Sequence, residues 1–231
     1  MNSRKVAAGI ALLAAMAIHA GAQTITRRTV RAVGEATIAT TPDQAVLSFS
    51  VEIRALTAQD ASSTNASLTA ALLGALTATL KADGTIRTTG YSINPIYNYP
   101  QNASPVLSGY QATNTVEVTL TNLARVGEIL DVGTKAGATR VAALSFTLKD
   151  PEPVRLQALR QASVRARSHA EAMVTGLSLR LGNIVNIDEG GTPPRVTVSD
   201  ARGATAATTT PIEVGSVSVT ATLIMEIEIV Q

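Results

Sequence analysis

Few side chains in this sequence could do chemistry. The chain has 231 residues, no cysteine and two histidines, His19 and His169. His19 lies just past an N-terminal apolar run, in a segment expected to be cleaved, so any nucleophile–base pair or metal site would have to use His169. No serine motif accompanies His169, which reads as a surface or helix-edge side chain. Its acidic neighbour Glu171 is two positions away and so points to a different helix face. A zinc site therefore lacks ligands, and the residues call for no metal and no cofactor. Gly190-Gly191 precedes Pro193-Pro194 instead of a helix start, so it is not a phosphate loop. Glu226 and Glu228 share one face of an alternating strand, which reads as a solvated face and not as a pair of acid and base carboxylates.

Two groups of residues remain. Arg155, Arg160, Arg165 and Arg167 could contact phosphate, anionic lipid or lipopolysaccharide, but they spread around their helix beside Glu152 and Glu171. The four tyrosines, Tyr91, Tyr97, Tyr99 and Tyr110, fall in one short stretch. Tyrosine offers apolar area plus a hydroxyl, so the stretch is either ordinary hairpin packing or a subunit or ligand contact. Asn114 lies in a strand, where asparagine is disfavoured, and is expected to bond to nearby backbone.

The elements that must position these residues follow from periodicity. Arg4 and Lys5, the apolar run Val6 to Ile18 and then Ala20-Gly21-Ala22 have the form of a secretory leader, with cleavage expected before Gln23. The run is shorter than the ~20 residues that span a bilayer, so no transmembrane span is expected after cleavage. Loss of Arg4 and Lys5 brings 19 basic residues level with 17 acidic ones. A near-neutral chain with 3% aromatic residues offers no field or stacking platform for nucleic acid.

Thr29 to Thr40 reads as a strand broken by Gly34, followed by the turn Thr41-Pro42-Asp43. Leu47, Phe49, Val51 and Ile53 alternate with polar residues as a second strand. Leu68, Leu72, Leu76 and Leu80 mark a helix from about Ala58 to Lys81, ended by Asp83-Gly84. Ile86 to Tyr97 and Tyr110 to Thr121 are strands around a loop. Thr121-Asn122 is placed to cap a helix over Leu123 to Ala136, closed by Gly137. Arg140 to Leu148 is a strand. The order strand, helix, strand, strand, helix, strand predicts an α+β fold with a ferredoxin-like βαββαβ core, after one extra strand. Asp150-Pro151-Glu152-Pro153 opens a third helix with alanines at 158, 162, 166 and 170, ending at Gly176. Leu181 to Ile187 is a strand. Gly190 to Pro211 is a loop with a short extended piece at Arg195 to Val198, and a last long strand runs from Val217 to Ile229. The expectation is a leader over 1–22 and one domain over 23–231, or one body with subregions at about 29–150 and 151–231.

Specific residues carry a family resemblance. Val33-Gly34-Glu35 with Pro42-Asp43-Gln44-Ala45, then Gly109-Tyr110 with Asn114, then Gly137-Ala138 and Phe146, then Leu181-Gly182 and Pro211-Ile212 before Gly215 occur in order. Together they resemble the SIMPL domain family across about residues 30 to 230. Ala36 stands where that family often has a second glycine. The resemblance implies an α+β fold and a periplasmic or outer-membrane-associated protein. It also implies links to immunogenicity and stress resistance, a ring-like oligomer in at least one member, and no established catalytic mechanism. Two functions are expected: a non-enzymatic envelope protein acting as a homo-oligomeric scaffold or channel-like assembly, or a binding module for a small periplasmic ligand or envelope polymer.

Overall fold

The computed structural model describes residues 27–190, 196–199 and 212–231. The leader, most of the Gly190–Pro211 loop and the motif residue Pro211 lie outside them. Among the described residues the chain is mixed α+β, with two antiparallel sheets and three α-helices. Its strands are β1 (Thr29–Thr40), β2 (Gln44–Ala55), β3 (Gly84–Asn98), β4 (Val106–Leu120), β5 (Arg140–Thr147), β6 (Arg180–Glu189), β7 (Val196–Ser199) and β8 (Ser216–Val230). Its helices are α1 (Ala58–Leu80), α2 (Val126–Lys135) and α3 (Glu152–Thr175).

One sheet has the order β3-β4-β2-β5, with α1 joining β2 to β3 and α2 joining β4 to β5. Alternate residues Leu47, Phe49 and Val51 of β2 and Val116, Val118 and Leu120 of β4 form its inner face. Leu72, Leu76 and Leu80 of α1 and Val126 and Ile129 of α2 close over them, giving one continuous aliphatic core. The leucine spacing of the sequence thus marks the buried stripe, with Leu68 at its partly buried rim.

The other sheet has the order β1-β8-β6, and β7 pairs with β8 beyond the end of β6. Here the first strand of the fold meets the last: Thr29 faces Glu228 and Thr40 faces Val217. Helix α3 packs on this sheet through Ala158, Ala162, Ala166 and Ala170, all fully buried. Leu148, at the end of β5, packs with Val217 and Val219 of β8 and joins the two halves.

Three local expectations are corrected. Strand β1 is not broken at Gly34; it runs unbroken, because Gly34 is where α3 crosses it. Asp83-Gly84 does not end α1. The left-handed turn falls on Lys81, with φ 51°, while Gly84 is already in β3, against the Thr119 carbonyl. The expected end of α3 at Gly176 holds, since the helix stops at Thr175, and a left-handed residue follows at Ser178, with φ 58°. Asn122 makes no side-chain cap; Thr121 bonds instead to the Asp83 carbonyl, and the chain enters α2 through a 3-10 turn at Leu123–Arg125.

Candidate interaction surface

The β3–β4 hairpin outruns its neighbours. Strand β2 ends at Ala55, opposite Tyr110, so among the described residues β4 from Val106 to Gly109 has only β3 for a partner. No charged residue occurs between Arg87 and Glu117, and these two bounding charges pair with each other at 2.6 Å. All four tyrosines lie in this uncharged stretch. Tyr91 is 52% exposed, Tyr97 46% and Tyr99 73%, while Tyr110 is half-buried where the hairpin leaves the sheet. The Tyr91 hydroxyl lies 2.9 Å from Ser62 Oγ on α1, which places Tyr91 on the helix side of the sheet. By the period of two, Ile93, Pro95 and Tyr97 share that side. A register shift in β4 brings Leu107 opposite Tyr97. Ile93 and Leu107 are 37% and 45% exposed. The opposite side carries Ser92, Asn94, Gln111 and Thr113.

The cationic helix behaves differently. Arg155 pairs with Glu152 and Glu189. Arg165 donates to the Glu35 carbonyl at 2.8 Å, and His169 Nδ1 lies 2.8 Å from the Val33 carbonyl, so it donates there. Both carbonyls belong to the edge of β1 that no strand pairs among the described residues. Arg28 is hydrogen-bonded to its partner Ile229, so even-numbered β1 residues face β8 and Val33 and Glu35 face outward. Two side chains one helical turn apart thus occupy the carbonyls that an incoming strand would use. Four arginines on one helix suggested an anion surface; two of them are committed to structural contacts, and His169 is held to the backbone.

The SIMPL family model, described as a protein of unknown function (DUF541), matches residues 30–227. The chain belongs to the SIMPL family. Among SIMPL relatives, the 26 kDa periplasmic immunogenic protein of Brucella melitensis is 30% identical over 165 residues, covering 70% of this chain and 66% of that protein. The uncharacterized protein YggE of Escherichia coli K12 is 28% identical over 154 residues, covering 67% of this chain and 62% of YggE. The matched region thus spans slightly less than two thirds of these relatives' lengths.

The SIMPL motif residues have structural surroundings. A Cβ built on Gly34 would lie 1.9 Å from the Ala162 carbonyl oxygen and 2.5 Å from the Ala166 nitrogen, so only glycine lets α3 rest on β1. Ala36, the departure from the family pattern, is buried on the same side. Pro42 is buried, and the Asp43 carboxylate accepts the Lys149 N–H at 2.7 Å, tying the start of β2 to the end of β5. Gly109 has φ 155° and sits against the Ala55 carbonyl, at the point where the hairpin leaves the sheet. Gly137, with φ 113°, ends the segment that contains α2. Phe146 belongs to the larger core. Gly182 lies in β6 against Glu228 and Val230, and Gly215 precedes β8.

Asn114 does not meet its expectation, since its Oδ1 is buried without a protein partner. The asparagine that bonds strand backbone is Asn65 on α1, whose Nδ2 donates to the Val51 and Ala112 carbonyls at 2.7 and 3.2 Å. Sequence reasoning passed over Asn65; its signal was an uncharged polar residue one turn from the leucine stripe. A second polar tie joins α1 to α2. Arg125 bonds to Asp83, Glu128 and the Thr79 carbonyl. The guanidinium hydrogen bond holds the Glu128 carboxyl below the ordinary glutamate range, and the Glu128 and Asp83 hydrogen bonds hold Arg125 above its own. Among the described residues no group of three or more His, Cys, Asp or Glu could hold a metal ion, and no helix is long and apolar enough to cross a membrane.

Proposed function

We propose that this protein acts without catalysis in the bacterial periplasm, in association with the outer membrane. It works by assembling with copies of itself into a scaffold or channel-like oligomer that protects the envelope under stress. The observation that carries this reading is the exposed, uncharged, tyrosine-bearing hairpin, which has the composition of a subunit contact. Among the described residues the outer edge of β6 has no strand partner, and this adds to it, since an open strand edge is a template for association. Export is supported by the leader pattern in residues 1–22 and by the Brucella relative's name. The mature chain from Gln23 is read as a single domain. Its segment from β2 to β5 is read as ferredoxin-like, on the strand order β3-β4-β2-β5 with helices after the first and third strands in chain order. The protective role is carried over from the family resemblance.

Sedimentation of the mature chain at micromolar concentration tests the central claim. The expected result is a defined oligomer that persists in high salt, because the proposed contact is uncharged. A monomer at every concentration up to the solubility limit overturns it. Deletion of the gene is expected to reduce survival under oxidant, with recovery on re-expression.

A further inference from the structure

We infer that the subunit contact is the α1-side face of the hairpin, with the hairpin of one copy packed face to face on that of a second copy. The inference rests on the self-association reading and adds the surface. The face is built from Tyr91, Ile93, Tyr97 and Leu107, all on one side of the β3–β4 ribbon and all partly exposed. Helix α1 shields only the start of this side, where Ser62 meets Tyr91.

A second copy is selected by charge. The hairpin carries no ion between Arg87 and Glu117, so burying it desolvates no charge only if the partner is equally uncharged. Another copy of the same hairpin meets that condition. A lipid surface does so less well, because interfacial segments use Lys and Arg beside their apolar face and this one has none. Face packing is favoured over strand addition at this place. Pro95 interrupts the outer strand and has no N–H to offer, and register shifts at Thr88/Gly90 and Ile96/Tyr97 bend the ribbon. A two-fold axis between hairpins makes the contact isologous, with the same residues on both sides, so this contact pairs two copies and a larger assembly adds a second contact elsewhere.

The alternation of the strand supplies the test. The mature wild type, Ile93→Lys with Tyr97→Lys, and Ser92→Lys with Asn94→Lys are compared by sedimentation, with circular dichroism as the check on folding. The first pair places charge on the proposed face and the second pair on the other side. The first is expected to weaken association at least about thirtyfold, the change that loss of an interface hot spot produces, and the second less than about threefold. Equal assembly of wild type and the Ile93/Tyr97 variant overturns the surface and leaves self-association standing. A monomeric wild type overturns both. Flotation of a monomeric wild type with neutral phosphatidylcholine vesicles, lost in the Ile93/Tyr97 variant, reassigns the face to lipid. If the lysine variants fail to fold, single cysteines replace them, since the chain has no cysteine of its own. Tyr97→Cys is then expected to react with a maleimide at least about tenfold more slowly than Asn94→Cys in the assembled protein. Equal rates overturn the proposal.

Discussion

The two sheets hold their helices in opposite ways. In the β3-β4-β2-β5 sheet, large side chains meet large side chains: Phe49, Leu47 and Leu120 lie under Leu72, Leu76 and Ile129. In the β1-β8-β6 sheet, α3 descends on a row of alanines until its backbone touches the strand at Gly34. The first arrangement is a core in which removed volume leaves a cavity. The second has little volume to remove on its helix side, where alanines rest on Leu223, Met225 and Ile227, and at Gly34 it has almost no room for added volume. The difference shows that one chain can secure helices either by filling space or by denying it, and that the two strategies fail under opposite substitutions.

Gly34→Ala is the sharpest way to break this comparison. A single methyl group would meet backbone atoms of α3, which no rotamer change can move, so a loss of more than about 4 kcal/mol is expected in urea unfolding. A loss below about 1 kcal/mol would mean that α3 can lift off the strand at little expense, and the close-contact account would fail. Leu76→Ala tests the other half by subtraction. It should cost about 3 kcal/mol, as buried leucines do where the surroundings cannot collapse. A change near zero there would contradict a tightly filled core. Gly74 lies on the outer side of α1, where an added Cβ meets nothing within 4 Å. Gly74→Ala should therefore raise stability by about 1 kcal/mol, the helix-propensity difference alone. One added methyl would then act with opposite signs in the two settings.

The smallest effect concerns the tie between α1 and α2. The Glu128 carboxyl is held below its ordinary range by Arg125. Its folded value is lower than its unfolded one, so its contribution is present above the ordinary glutamate range and disappears as pH falls through the lowered folded value. Glu128→Gln should shift the urea midpoint slightly at neutral pH and not at all in strong acid. A difference that grows in acid would reverse the assignment.

Periodicity made most of this architecture legible. The leucine stripe of α1, the alanine row of α3 and the alternation of β8 each mark a buried face, since burial is what selects those spacings. Less legible was anything set by a partner distant in sequence. Gly34 looked like a strand breaker because its reason, the backbone of α3, enters from over a hundred positions away. Lys81 and Ser178 adopt left-handed turns that their residue types do not announce. Asn65 and Asn114 are chemically alike, and only the crossing of α1 over β2 and β4 decides which one finds carbonyls. For the candidate surface, the tyrosines were visible in the sequence. Their exposure depends on where β2 ends, and that is set by the turn into α1.

The pairing of β1 with β8 also governs the order of folding. The segment from β2 to β5 is contiguous and can condense as soon as it is made. The sheet that begins at Thr29 must wait for Glu228, its cross-strand neighbour on β8. A ribosome-bound nascent chain therefore cannot complete that half until β8 has been made, and β1 waits unpaired until then. Under the export proposed above, such a late closing step would keep the chain unfolded enough to be threaded through a membrane pore.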